Sequence, residues 1–489
     1  MVRAPTRATL ASASRACASF LFALVLAEAS AGAQAAKRPM SFDDIMDIRN
    51  VGSVAMSPDG SQVVYSASAW ENPNARPATD PTKPDTAKGD RHDMRSHLWL
   101  VSTNGGAPRQ ITSSERGESA PAWSPDGKSI AFVSARGTGD DVTGQIWILP
   151  MTGGEAYQLT HSRQAVTGFS WSRDGSQIAF LSSDSVPRSE DAKRKRRDDP
   201  QVFEGDMRLA HLWVIDLATR HAREVAHGDF TIKGAPSWSP DGQRLAYEAS
   251  PTTLLRETRT NAYVLSLAGD QSEKISPHSD VASTPVWSPD GRTLAFITLP
   301  QSHVARPDGI SDVQIGNNHL LLYDVAAHSA RDVYDAKADV SDGAPQWTPD
   351  GARLVFTTGE RAYDAVYAYD VASGRLTRLA NHLLMRGLSL SRDGQSVAFA
   401  MDTPDAPADV YVTNLTFASP RKLTDVNPQI RNFALGETEV VTWKSSDGTP
   451  VEGWWAQCLD LGQQALAVGA LRHCCAGANY RRHPRRVRP

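Results

Sequence analysis

Cysteine is missing from the whole stretch between Ala36 and Ala456, so no disulfide can staple that stretch together. The chain has 489 residues and four cysteines: Cys17 near the start, then Cys458, Cys474 and Cys475 within the last 33 residues. A basic excess is also missing. Lys and Arg number 51 against 55 Asp and Glu, a formal net charge of −4, which excludes the basic face a nucleic-acid binder needs. The one dense basic run, Lys193-Arg194-Lys195-Arg196-Arg197, sits between Glu190-Asp191 and Asp198-Asp199 and reads as a solvated, charge-mixed loop. Long apolar runs are missing too. The run from Ser19 to Ala27 is shorter than the ~20 residues that cross a bilayer, and nothing else could span one. With Arg3, Arg7 and Arg15 ahead of it and Ala31-Gly32-Ala33 or Ala33-Gln34-Ala35 behind, residues 1–35 read as a secretory signal peptide. The mature protein is therefore expected to be exported, periplasmic or secreted, with no membrane attachment once the signal is cleaved. No metal spacing is present in the scattered His and Asp residues, and no cofactor is expected.

What is present is repetition. Ser57-Pro58-Asp59-Gly60 recurs as Ser124-Pro125-Asp126-Gly127, Ser172-Arg173-Asp174-Gly175, Ser239-Pro240-Asp241-Gly242, Ser288-Pro289-Asp290-Gly291, Thr348-Pro349-Asp350-Gly351 and Ser391-Arg392-Asp393-Gly394. Pro presets φ at the second turn position, Asp bonds local N–H groups, and Gly accepts φ > 0. Trp123, Trp171, Trp238, Trp287 and Trp347 directly precede five of these turns. Apolar triplets follow six of them, such as Ile130-Ala131-Phe132 and Leu294-Ala295-Phe296, and read as buried strands. A second motif alternates with the first, beginning at Leu98-Trp99, Ile146-Trp147, Leu212-Trp213, Ala262-Tyr263, Leu320-Leu321, Val366-Tyr367 and Val410-Tyr411. Each unit is two hairpins, or four strands. Seven such units predict an all-β, seven-bladed β-propeller over residues 41–436.

Loop lengths predict which face works. In a four-stranded meander the first and third turns share one face of the ring, and the middle loop lies on the other. The long stretches, roughly 70–96, 183–210 and 300–318, all fall in the middle position. One face is trimmed and the opposite one carries the insertions, where binding is expected to concentrate.

The tandem Trp-Ser-Pro-Asp-Gly units resemble the propellers of TolB and of prolyl-oligopeptidase-type serine peptidases. Two stretches are similar to the dipeptidyl-peptidase and acylaminoacyl-peptidase branch: Phe42-Asp43-Asp44-Ile45-Met46-Asp47-Ile48-Arg49-Asn50-Val51, and Val441-Thr442-Trp443-Lys444-Ser445-Ser446-Asp447-Gly448-Thr449-Pro450-Val451-Glu452-Gly453-Trp454-Trp455. The second, within 437–456, reads as two strands around an Asp-Gly turn. In that branch a hairpin of this kind leads from the last blade into an α/β-hydrolase domain. The resemblance implies a propeller that restricts access to a Ser-His-Asp site and admits short peptides. It also implies propeller carboxylates that hold the substrate's α-ammonium, because a cation leaving water needs a charged partner. Glu204 and Asp206, in the long insertion of the third unit, are the candidates for that role. The rival reading is a non-catalytic, TolB-like periplasmic scaffold that docks protein partners.

The resemblance covers residues 41 to 456 and then stops. No Ser in the sequence sits in the Gly-x-Ser-x-Gly elbow of α/β-hydrolases; the nearest approach, Gly117-Glu118-Ser119-Ala120-Pro121, lacks the second Gly. No catalytic residue is assigned. Residues 457–489 contain no Lys, six Arg and one acid, Asp460, and are far fewer than the roughly 200 a hydrolase domain needs. Three readings of this tail stand: an out-of-frame continuation of a truncated peptidase, a genuine basic tail for an acidic partner, or a zinc set from Cys458, His473, Cys474, Cys475 and His483. The exit hairpin, with Trp443, Trp454 and Trp455, is expected to be exposed and prone to self-association.

Overall fold

A computed structural model of the chain describes residues 37–71, 93–137, 142–185, 196, 208–253, 259–277, 281–299, 301–305, 311–315, 317–333, 339–341 and 343–456. They form a seven-bladed β-propeller. Blade 1 (50–110), blade 2 (118–158), blade 3 (166–226), blade 4 (231–274), blade 5 (281–332), blade 6 (339–383) and blade 7 (385–422) are antiparallel meanders of four strands, taken in sequence order. Blade 6 splits its first strand into Asp339–Val340 and Gln346–Trp347. The helical content described is a five-residue helix, Phe42–Met46, closed by a Ser41/Asp44 capping box, and a 3-10 turn at Pro428–Asn432.

The repeated tetrapeptide is the turn between the first two strands of every blade. Its physics repeats seven times. The Ser or Thr hydroxyl donates to the Asp carboxylate at 2.5–2.7 Å and accepts a backbone N–H from the start of the second strand at 2.9–3.0 Å. The glycine takes φ between +68° and +74°, where a Cβ is disfavoured. Beyond the turn, the apolar triplets form second strands with relative exposure of 2% or less, as expected. The aromatic of the triplet faces the aromatic of the second motif across the ladder: Phe180 opposite Trp213, Tyr247 opposite Tyr263, Phe356 opposite Tyr367, and Phe399 opposite Tyr411, all stacked.

The tryptophans before the turns join one blade to the next. The indole N–H of Trp123 donates to Ala55 O, that of Trp171 to Ala122 O, that of Trp238 to Ser170 O and that of Trp347 to Val286 O, at 3.1–3.3 Å. Each reaches the first strand of the preceding blade. The fifth, Trp287, is buried with its Nε1 unpartnered and its ring under Arg244, whose guanidinium lies 4.5 Å from the ring centroid.

Among the described residues no strand is exchanged between blades 1 and 7, so side chains and loops close the ring. A shared apolar cluster spans the seam, with Val51, Met56, Val63 and Tyr65 against Ala398, Ala400, Val410 and Val412. Asn427 brackets Arg49, accepting its N–H at 2.9 Å and donating to its carbonyl at 2.8 Å. Arg392 N–H also donates to Pro58 O at 2.9 Å.

Candidate functional site

The middle loops fall where the sequence placed them, between the second and third strands of blades 1, 3 and 5. Two details differ from expectation. The ends of the first stretch are strand: Gln62–Glu71 and Asp93–Ser102 run further than the loop boundaries implied. The blade 5 insertion carries a hairpin of its own, Gln301–Ala305 with Ser311–Ile315. Both are backbone ladders to which the turn-based reading gave no weight.

Blades 6 and 7 have short middle turns, Arg361-Ala362 and Pro404-Asp405, which leave room on that face. The hairpin of Thr438–Lys444 and Pro450–Ala456 fills it. The Trp454 indole donates to Ala362 O at 3.1 Å and meets Tyr363 edge-on at 5.1 Å, while Arg361 pairs with Glu452 at 2.7 Å. Trp454 is thus half-buried, not exposed as expected, because the two-residue turn of blade 6 offers it a carbonyl and an aromatic edge. Trp443 and Trp455 do face solvent, at 37% and 53% exposure. Between hairpin, linker and blade 7 lies a cavity of about 1130 Å³ whose walls include Asp405, Asp409, Lys422, Arg431, Glu437 and Trp455.

On the same face, blades 1 and 2 meet at a buried carboxylate. Glu118 receives His97 Nδ1 at 2.9 Å, the Thr112 hydroxyl at 2.7 Å, Ser114 N–H at 3.0 Å and Arg136 Nη2 at 2.9 Å. Burial disfavours its charge, but the bonds from His97, Ser114, Thr112 and Arg136 outweigh that and hold its pKa down to about 2. The bond to Glu118 in turn raises His97. Every acceptor site is filled, so this cluster joins blades and has no free valence for a substrate. The sequence reading missed it, since Glu118 looked like part of a failed elbow motif.

The ring axis holds the second candidate. A channel of about 710 Å³ is walled by the first strands and turns of all seven blades. Glu248 enters it from the second strand of blade 4 (Arg244–Ser250), passing Gly234 of the first strand; a Cβ on Gly234 would stand 3.1 Å from its carboxylate. Thr284 N–H donates to Glu248 at 2.7 Å, the one donor it has among the described residues. Thr284 is held at φ +49°, and its hydroxyl is buried without a partner. Burial raises the Glu248 pKa against the pull of Thr284 N–H and the Lys233 ammonium.

The sequence-based candidates Glu204 and Asp206 lie outside the described residues, as do Cys458, His473, Cys474, Cys475 and His483. Among the described residues no histidine hydrogen-bonds a serine hydroxyl.

No family model matches the chain. Its structure is similar to an acylaminoacyl peptidase of Pyrococcus horikoshii, with a TM-score of 0.60 at 16% identity over 86% of this chain and 59% of that one. It is similar to a puromycin-hydrolyzing peptidase of Mycobacterium tuberculosis, with a TM-score of 0.58 at 16% identity over 87% and 61%. The fold is shared with peptidase propellers. The β-propeller domain of the trilobed protease from Pyrococcus furiosus, described as having an open velcro topology, gives a TM-score of 0.52 at 15% identity over 78% and 96%. In sequence, an 89-residue segment is 37% identical to dipeptidyl-peptidase 5 of Porphyromonas gingivalis, covering 18% of this chain and 10% of that protein. A 117-residue segment is 26% identical to TolB of Francisella tularensis, covering 24% of each. The chain thus spans about three fifths of the peptidases it matches in structure, and its matched segments a tenth to a quarter of the curated relatives.

Proposed function

We propose that this chain is the substrate-access propeller of an exported serine peptidase acting on short peptides, and that residues 1–489 do not hydrolyse them unaided. The observation that carries the reading is the hairpin of Thr438–Ala456, which leaves blade 7 and docks through Trp454 on the loop-rich face. A ring that only docks protein partners has no need of it. The likeness to peptidase propellers and the 37% identical segment support the same reading. Export rests on residues 1–35. Glu204 and Asp206 remain the proposed acceptors for a peptide α-ammonium.

The test is the nucleotide sequence after codon 456. One of the three frames is expected to encode Gly-x-Ser-x-Gly within roughly 200 codons; its absence from all three overturns the peptidase reading. The purified chain is expected to show no turnover of dipeptidyl-arylamides, and turnover abolished by a serine-reactive inhibitor would contradict this. A TolB-like docking scaffold is the second reading, favoured by the 117-residue segment shared with Francisella TolB. Absence of the elbow from every frame would leave it standing.

A further inference from the structure

Two of the seven turns replace proline by arginine, and both arginines do the same thing. Arg173 of blade 3 reaches across the axial channel and donates to Pro289 O of blade 5 at 3.3 Å. Arg392 of blade 7 reaches to Pro125 O of blade 2 at 2.9 Å. Each guanidinium thus spans the turn-face mouth to the turn two blades further round, and both line the channel. Neither has a carboxylate within 4.0 Å among the described residues. The neighbouring acids, Asp174 and Asp393, are committed to their own turns, each taking a serine hydroxyl and a backbone N–H. A guanidinium offers five donors, and a single neutral carbonyl uses one. Two unneutralised cations therefore face one opening, each held by an acceptor weaker than a carboxylate would be.

Deeper in, the channel carries the opposite sign. Glu248 stands four residues beyond Arg244, the first residue of the strand next to the turn, a rise of about 13 Å. Beside it the buried Thr284 hydroxyl has no partner, and Thr284 keeps a backbone conformation that costs energy for a non-glycine residue. The orphaned hydroxyl and the single-donor carboxylate mark a polar pocket whose bonds are incomplete; the positive φ recurs at Ala120, Gly234 and Gly387 in the first strands of blades 2, 4 and 7 and belongs to the repeat. Along the strand that rise matches the length of about four extended residues.

We propose that the axial channel binds short peptides as zwitterions, the free C-terminal carboxylate between Arg173 and Arg392 and the α-ammonium at Glu248 and the Thr284 hydroxyl. A carboxylate displaces the proline carbonyls because its bonds to guanidinium are charge-assisted. The arginines are therefore latches that the correct chain end releases. The assignment rests on the peptide-handling reading above and adds to it a polarity and a second ammonium acceptor, on the ring axis, besides Glu204 and Asp206.

Isothermal titration of the mature chain with tetraalanine tests this. Tetraalanine is expected to bind, and tetraalanine amide at least tenfold more weakly. The variant R173P/R392A is expected to lose the same factor and to bind acid and amide alike. R173P alone restores the Ser-Pro-Asp-Gly found in four other turns of this chain, so it keeps the fold and is expected to fall between. E248Q is expected to weaken tetraalanine but not its N-acetyl form. Equal binding of acid and amide, binding unchanged in both arginine variants, or no heat at millimolar peptide overturns the proposal. The downstream reading frames decide the peptidase assignment separately: an elbow found there with no channel binding removes this site and leaves that assignment intact.

Discussion

A single aspartate shows how much of this fold is local chemistry. Asp126 accepts the Ser124 hydroxyl and Lys128 N–H, and six other aspartates repeat the arrangement. The hydroxyl bond holds six of them below the usual carboxylate range; at Asp241 burial opposes the charge and the Ser239 hydroxyl outweighs it. A depressed folded pKa means stability that is present above the unfolded value of about 3.9 and lost as pH falls through the folded one. The urea midpoint is expected to stay level from about pH 6 to pH 5 and to drop below about pH 4. D126A is expected to lose about 1 kcal/mol at neutral pH by urea unfolding. A midpoint insensitive to acid would show that these turns do not hold the strands. The tetrapeptide itself was legible in the sequence because its bonds close within six residues.

At the scale of elements, the joints between blades matter more than the blades. Trp171 and Trp287 occupy the same repeat position, yet only Trp171 has an indole acceptor. W171F is therefore expected to cost about 1 kcal/mol more than W287F, because the second exchange removes a donor that was already orphaned. Equal losses would mean that ring packing alone joins the blades. The Glu118 joint is stiffer. E118Q leaves Arg136 without its charge partner and His97 with Glu71 alone, 3.3 Å from its Nε2, and is expected to cost about 3 kcal/mol. His97 adds a pH signature: its folded pKa is raised, so its contribution is present below the unfolded value of about 6.5 and fades as pH rises through the folded one. In E118Q that slope is expected to shrink, Glu71 still facing the ring, in urea midpoints taken between pH 6 and pH 8. The recurring Trp could be read from the chain, but its partner could not, since each acceptor lies 49 to 68 residues away.

For the whole molecule, the seam between blades 7 and 1 is the joint whose two blades are not consecutive in sequence. N427A removes both bonds to the Arg49 backbone. The amides of Asn50–Met56 are expected to exchange hydrogen faster in that variant while blade 3 stays protected, measured by mass spectrometry. Uniform loss of protection around the ring would argue that the seam is no weaker than the other joints.

The chain by itself determined the number of units, the turn chemistry, the buried second strands and the face that bears the insertions, because each depends on contacts within one repeat. Tertiary structure alone decided the rest. Ring closure brings the Arg173 guanidinium to Pro289 and the Arg392 guanidinium to Pro125, 116 and 267 residues away in sequence, and the packing of blade 5 on blade 4 brings Thr284 N–H to Glu248. Those meetings follow from a sevenfold circle in which the first strand of every blade faces one axis, and no local pattern along the chain encodes them.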